Sequence, residues 1–249
     1  MRTFIMGDVH GGYKAMKQCL ERSSFNYDTD LLIQLGDIAD GHDQVYECVE
    51  ELLTIKNLVA LKGNHDEWFF EFMQTGYHPD QWRQGGAATA KSYLRLIGKE
   101  TLIQRSGEGY KTALNPGDIP GTHQNFFRQQ HLYYIDESNN CFVHAGFDRH
   151  QPFKGQRLEN YFWDRTLWMS ALSFKKEIQA GRKNKFNILT PFNEIFIGHT
   201  STIQWNTDQP MHAANIWNLD TGGGHGGRLT IMEAQTKTYW QSDPIDSIT

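Results

Sequence analysis

Five short motifs constrain the fold of this 249-residue chain more than any other feature: GDVHG at 7–11, GDIAD at 36–40, GNHD at 63–66, VHAG at 143–146 and GHT at 198–200. Each sets a glycine beside Asp, Asn or His. Those side chains are oxygen and nitrogen donors for divalent metals, and a neighbouring glycine permits the sharp turn that points a donor out of a strand end. The flanking sequence agrees. Apolar runs from Thr3 to Met6, Leu31 to Leu35 and Leu58 to Leu61 lead into the first three motifs, and helical patterns fill Tyr13 to Arg22 and Gln44 to Ile55. This βαβαβ order predicts a layered α/β sheet with its motifs at the carboxyl ends of strands, the edge at which open α/β sheets bind ligands.

From Glu67 to about Leu132 the pattern turns mostly helical, and Trp68, Phe69, Phe70, Phe72, Trp82, Phe126 and Phe127 read as packing between helices. Gly85-Gly86 opens a helical pattern over Ala87 to Ile97, and Asn115 to Gly121 marks a surface loop. Strands are expected at Tyr133 to Asp136 and Cys141 to His144, joined by a turn at Ser138 to Asn140, followed by one helix over Phe162 to Gln179. Further strands are expected at Glu194 to Ile197, Ala214 to Leu219, Leu229 to Glu233 and Lys237 to Trp240, with Gly222 to Gly227 connecting two of them. No repeat or linker interrupts the sequence, which predicts a single domain over 1–249.

The motif residues supply a specific chemistry. Asp8 and His10, two apart at a strand end, are placed to share one ion. Asp37 and Asn64 add a carboxylate and an amide oxygen, and His144 and His199 bring imidazole nitrogens from the second half of the chain. Six mixed donors exceed what a structural zinc uses and suit two open-sided ions about 3.5–4 Å apart. Two divalent ions carry more charge than Asp8 and Asp37 cancel, and the excess matches a hydroxide and a phosphate oxyanion, with Asp37 the candidate bridge. Water bound there loses a proton near neutral pH and becomes the nucleophile for in-line attack on phosphorus. His65 is placed to protonate the leaving alkoxide as general acid, with Asp40 orienting its ring.

Composition narrows the partners. The chain is 39% hydrophobic and 21% charged, an ordinary soluble balance. A net charge of −5 without a Lys/Arg run excludes a general nucleic-acid binder, while nucleotides remain open as small substrates. No apolar stretch nears the ~20 residues of a membrane span, and Met1 to Met6 leaves no room for a signal peptide before the first motif. Cys19, Cys48 and Cys141 lack a CxxC pair and read as buried thiols, so a cytoplasmic location is expected.

The ordered set resembles the calcineurin-like metallophosphoesterases, and within them the phosphoprotein phosphatase type with its bacterial and phage relatives. The resemblance runs from residue 4 to about 235, with lesser echoes in GGAAT at 85–89, WDR at 163–165 and LDTGGGHGGRLT at 219–230. It implies a four-layer αββα sandwich with the site on its central sheet edges. It further implies that Asp8, His10 and Asp37 hold a first metal and Asp37, Asn64, His144 and His199 a second. His65 becomes the acid, Asp40 its partner and Arg165 a phosphate-binding residue. The two divalent ions are expected to be manganese, with iron or zinc also compatible with the ligand types.

Two departures bear on substrate. Where the family pattern reads GDxxDRG, Asp40 is followed by Gly41-His42, so one phosphate-clamping arginine is missing. His42 is the candidate to replace it, and Gly41→Arg the change expected to restore it. Where protein phosphatases read RGNHE, this chain has KGNHD, with Lys62 the candidate cation toward substrate and Asp66 in place of Glu. The resemblance points to a Ser/Thr protein phosphatase-like phosphomonoesterase acting on a phosphorylated protein or small phosphate ester. The alternative is a symmetrical bis(5'-nucleosyl)-tetraphosphatase. A non-catalytic metal-binding interaction module is the third reading, against which His65 and Asp40 speak.

Overall fold

Side chains alternate across a strand, so a strand buried on both faces must meet a different layer on each. In the computed structural model, which describes residues 1–99, 103–106, 109–181 and 190–248, this alternation sorts the apolar residues into three clusters. The elements in chain order are β1 Thr3–Met6, α1 Tyr13–Arg22, β2 Leu31–Gln34, α2 Val45–Leu53, β3 Asn57–Ala60, α3 Asn64–Thr75, α4 Gly86–Leu96, β4 Ile103–Ser106, β5 Gly109–Thr112 and α5 Gly121–Gln129. They continue with β6 Tyr133–Ile135, β7 Cys141–Val143, α6 Leu158–Trp163, α7 Thr166–Gln179, β8 Ile195–Ile197, β9 Met211–Ala213, β10 Ile216–Asn218, β11 Thr230–Glu233 and β12 Tyr239–Gln241.

One sheet has the order β12-β11-β1-β2-β3 and the other β6-β7-β8-β10-β9. Phe4, Met6 and Leu32 face outward onto Met16 and Leu20 of α1 and Val49 and Leu52 of α2. Their neighbours Ile5 and Ile33 face inward and meet Phe142, Phe196 and Trp217 of the second sheet. On that sheet's outer face Cys141, Val143, Ile195 and Ile197 pack with Leu167, Trp168 and Ala171 of α7. Three apolar interfaces separate four layers, in the order α, β, β, α. Phe142 and Phe196 stack at 4.9 Å at the sheet-to-sheet interface, where burying each ring contributes roughly 1.5–3 kcal/mol.

The strands β1, β2 and β3 are parallel and adjacent, which carries the first three motifs to one edge. Strands β7 and β8 are likewise parallel, and Gly198 N donates to His144 O at 2.8 Å just past their ends. The two edges meet, since a Cβ built on Gly198 would lie 2.0 Å from Asp8 Oδ1.

The sequence reading and the structure part at three places. The helix expected over Phe162 to Gln179 is two, because Asp164 leaves helical geometry at φ −64°, ψ 133° and its Oδ2 accepts from Leu167 N at 2.9 Å. The capping carboxylate starts α7 and interrupts the expected run. The segment read as mostly helical also holds the β4–β5 hairpin, and β9 pairs antiparallel with β10 where no strand was expected.

Candidate metal centre and active site

His10, Asp37, Asp40 and His199 all have positive φ, at 48°, 53°, 70° and 63°. Non-glycine residues adopt this region at a cost of order 1–3 kcal/mol unless their surroundings fix it. Here they do. The amides of Val9 and His10 both donate to Asp37 O, at 3.0 and 2.8 Å, and Gly11 N donates to Ile38 O at 2.9 Å. Asp66 ties the second and third motifs together: its Oδ1 accepts from Ile38 N and Ala39 N, both at 2.9 Å, and its Oδ2 from Gly63 N and from Gln130 Nε2. The departure from glutamate at position 66 thus has a structural task, orienting the loop that carries Asp37 and Asp40.

Ligand atoms of Asp37, His144 and His199 lie within 4.8 Å of one another, as do those of His10, Asp37 and His65, so Asp37 belongs to both groups. His144 Nδ1 donates to Leu35 O at 2.8 Å, and since a carbonyl only accepts, the neutral ring would present its lone pair at Nε2. That nitrogen stands 3.3 Å from both Asn64 Oδ1 and Asp37 Oδ2. His10 Nδ1 is likewise held by Ala39 O at 3.3 Å, leaving Nε2 at 3.7 Å from Asp37 Oδ2. His199 is anchored by its amide, which donates to Asp8 Oδ2 at 2.9 Å.

The protonation preferences of the cluster conflict. Burial lifts the Asp37 carboxyl, but His144, His65 and His10 outweigh it and hold Asp37 well below the usual carboxylate range. Burial together with Asp220 and Asp37 drives Asp8 well above that range. Burial pushes His10 down to about 3, whereas the carboxylates of Asp37 and Asp8 overcome burial and bring His144 up to about 10.

The donor set fits two divalent cations. Asp8 Oδ1 and His199 Nε2 are buried and have no hydrogen-bond partner among the described residues, an arrangement that is costly in a protein interior unless a cation takes the lone pair. Asn64 Oδ1 and His144 Nε2 stand 3.3 Å apart, and with the imidazole neutral both atoms offer a lone pair. No thiolate enters, and the Nδ1 atoms of His10 and His144 rest on backbone carbonyls, the usual support of a metal-bound histidine.

Beside the cluster, His65 N donates to Asp37 Oδ1 at 2.9 Å and its Nδ1 donates to Asp40 Oδ2 at 2.8 Å. Asp40 Oδ1 accepts from Trp82 Nε1 at 2.8 Å and Thr89 Oγ1 at 2.7 Å, so both carboxylate oxygens are held. The His65 ring meets Trp68 edge-on at 4.6 Å and His10 at 4.9 Å. Asp37 and Asp40 raise the affinity of His65 for a proton against the opposing effect of burial.

A cavity of about 450 Å³ opens over these groups, lined by His10, Asp37, Asn64, His65, Arg165 and His199 among others. Asp8 and His144 lie beneath it, 2% and 0% exposed. Trp163, Asp220 and His225 also line it. The sequence named none of these three as a site residue, although the WDR and LDTGGGHGGRLT stretches that hold them were signals, and the Gly222 to Gly227 run, readable as a substrate contact or as a plain connection, does reach the cavity. Lys62 turns elsewhere, forming an ion pair with Glu67 and standing 4.3 Å over the Phe70 ring. His42 Nε2 donates to Gly223 O at 3.1 Å, binding the glycine-rich loop. The gain expected from Gly41→Arg is withdrawn: φ is +82° there, and a Cβ would lie 2.9 Å from His10 Cβ.

A serine/threonine-protein phosphatase 1 of Salmonella typhimurium is 22% identical, over 94% of this chain and 92% of its own. A symmetrical bis(5'-nucleosyl)-tetraphosphatase of Neisseria gonorrhoeae is also 22% identical, over 97% of this chain and 95% of its own. The crystal structure of a metallophosphoesterase from Sphaerobacter thermophilus covers 98% of this chain with 89% of its own, at 16% identity and a TM-score of 0.53, a likeness of fold. A family model described as calcineurin-like phosphoesterase matches residues 1–200.

Proposed function

The chain belongs to the calcineurin-like phosphoesterase family, whose members depend on a dinuclear metal centre, and from that premise we propose a phosphomonoesterase of the Ser/Thr protein phosphatase kind. That it is a hydrolase of phosphoesters follows from the family; the substrate and the residue roles are this proposal. One observation carries it: Asp37 belongs to both donor groups while its Oδ1 also receives the amide of His65, so the bridge and the acid are locked together.

In this reading Asp8, His10 and Asp37 hold one ion, and Asp37, Asn64, His144 and His199 the other, with manganese proposed over iron or zinc. When bound, the ions supply an activated water and the positive charge that receives phosphoryl oxygens. Asp40 accepts from His65 Nδ1 and so keeps the ring turned with Nε2 free to give its proton to the leaving oxygen. Trp82 and Thr89 fix Asp40, which spares the acid any reorganisation. Arg165 offers a bidentate fork to the phosphate. No described helix is long and apolar enough to cross a membrane, and the three free, buried cysteines accord with a cytoplasmic setting.

A second reading is a symmetrical dinucleoside tetraphosphatase. It is favoured by Trp163, a 39% exposed indole on the cavity wall backed at 5.5 Å by Trp68, which offers a face for a nucleobase. The deciding experiment strips the enzyme, adds back manganese, iron or zinc, and compares kcat/KM on a phosphoserine peptide, diadenosine tetraphosphate and an aryl phosphate. Preference for the peptide supports the first reading and preference for the tetraphosphate the second. Absence of metal-dependent turnover on all three sinks both.

A further inference from the structure

Gly41 lines two cavities. One is the cavity over His10, Asp37 and His65; the other, of about 550 Å³, is lined by Lys14, His42, Gln44 and Lys91 among others. A residue without a side chain stands at the junction, and the close approach of a Cβ there to His10 keeps it small. The two cavities thus share a wall residue that has no side chain to fill the space between them.

The charges in that cavity favour an anion. Asp43 is its carboxylate, and Asp43 Oδ2 is already shared by Lys91 Nζ at 2.6 Å and Arg95 Nη2 at 2.8 Å. Arg95 also reaches Glu47 at 3.6 Å. Asp43 and Glu47 balance Lys91 and Arg95, so the unopposed positive charge is that of Lys14, exposed on α1 and without any ion pair or hydrogen bond among the described residues. His42 is tied through Nε2 to Gly223 O, which holds the wall in place.

We propose that this cavity is a subsite for a second anionic group of the substrate, placed beyond the scissile phosphate and met by Lys14 and Lys91. The proposal rests on the phosphoesterase reading of the neighbouring site and narrows its substrate class to molecules with two separated anionic groups. The shared chemistry is an oxyanion, either a phosphoanhydride phosphate or a carboxylate next to a phosphorylated residue.

The test is Lys14→Gln and Lys91→Gln, with Lys14→Arg as a charge-keeping control, assayed on four substrates: p-nitrophenyl phosphate, diadenosine tetraphosphate, a phosphoserine peptide flanked by Asp, and the same peptide flanked by Asn. We expect KM to rise roughly five- to tenfold with kcat unchanged on the tetraphosphate, the Asp peptide or both, and Lys14→Arg to restore it. A rise on the tetraphosphate alone assigns the anion to a phosphoanhydride, and a rise on the Asp peptide alone to a carboxylate. KM unmoved on every substrate, or raised equally on p-nitrophenyl phosphate and the Asn peptide, overturns the subsite. Should the wild type turn over none of them, the phosphoesterase reading fails by itself. The subsite is then judged by calorimetric titration with tripolyphosphate, where equal affinity of wild type and Lys14→Gln overturns it.

Discussion

Asp8, Asp37, Asp40, Asn64 and His144 are at most 3% exposed, whereas Trp163 is 39% exposed, and Arg165 and His225 lie beside it on the open wall of the same cavity. The floor is set by main chain: left-handed turns, amides donating across motifs, and Asp66 holding two loops at once. The wall is set by side chains at helix boundaries, such as Arg165 at the break between α6 and α7. The groups proposed to hold ions and carry protons thus sit in one material, and those proposed to meet the substrate in another. The teaching is that changes to the floor should abolish chemistry while changes to the wall should alter affinity.

The sharpest way to break this comparison is Asp37→Asn. Removing the charge common to both donor groups is expected to eliminate turnover, by at least about 10³-fold, together with most bound metal. Metal analysis that finds two ions still in the variant would remove Asp37 as the bridge. Next comes His65→Asn, expected to keep both ions, slow alkyl phosphates by about 10²–10⁴-fold, and slow aryl phosphates with acidic leaving groups much less. Equal losses on both substrate types would deny His65 the role of acid.

Asp66→Ala probes the floor without touching a proposed ligand. Three backbone amides and the Gln130 amide lose their acceptor, so unfolding free energy should fall by about 2–4 kcal/mol, read from the urea midpoint. A loss below about 0.5 kcal/mol would show that the loops stand without it. On the wall, Arg165→Ala should raise KM roughly tenfold on a phosphomonoester with kcat little changed. If kcat instead collapses with KM constant, the division between floor and wall is wrong.

How much of this was legible in the sequence depended on the range of the interactions. The βαβαβ frame and its motifs lie within short stretches whose period and glycines encode them locally, and β1, β2 and β3 appear where the apolar runs stand. The pairing of sheets followed from the resemblance; no local pattern gives the contact of Gly198 with Asp8. The β4–β5 hairpin was hidden in a segment whose aromatics read as helix packing. The break before α7 turned on one aspartate bonding to an amide three residues on, which periodicity averages away. The direction of Lys62 was set by Glu67 and Phe70, and that of His42 by a carbonyl far along the chain. Side-chain direction is a tertiary fact even where position is a local one.

Gly63 and Gly198 press on the floor so closely that a Cβ at either would come within 2.0 Å of the carboxylate of Asp37 or Asp8. Seen as heredity, each glycine and its acid form one unit split between distant codons. A library that randomises either position alone should return only the parent residue, because every larger side chain displaces the acid it faces. New chemistry on this scaffold is therefore reached by coordinated double changes at the floor, or by single steps along the wall.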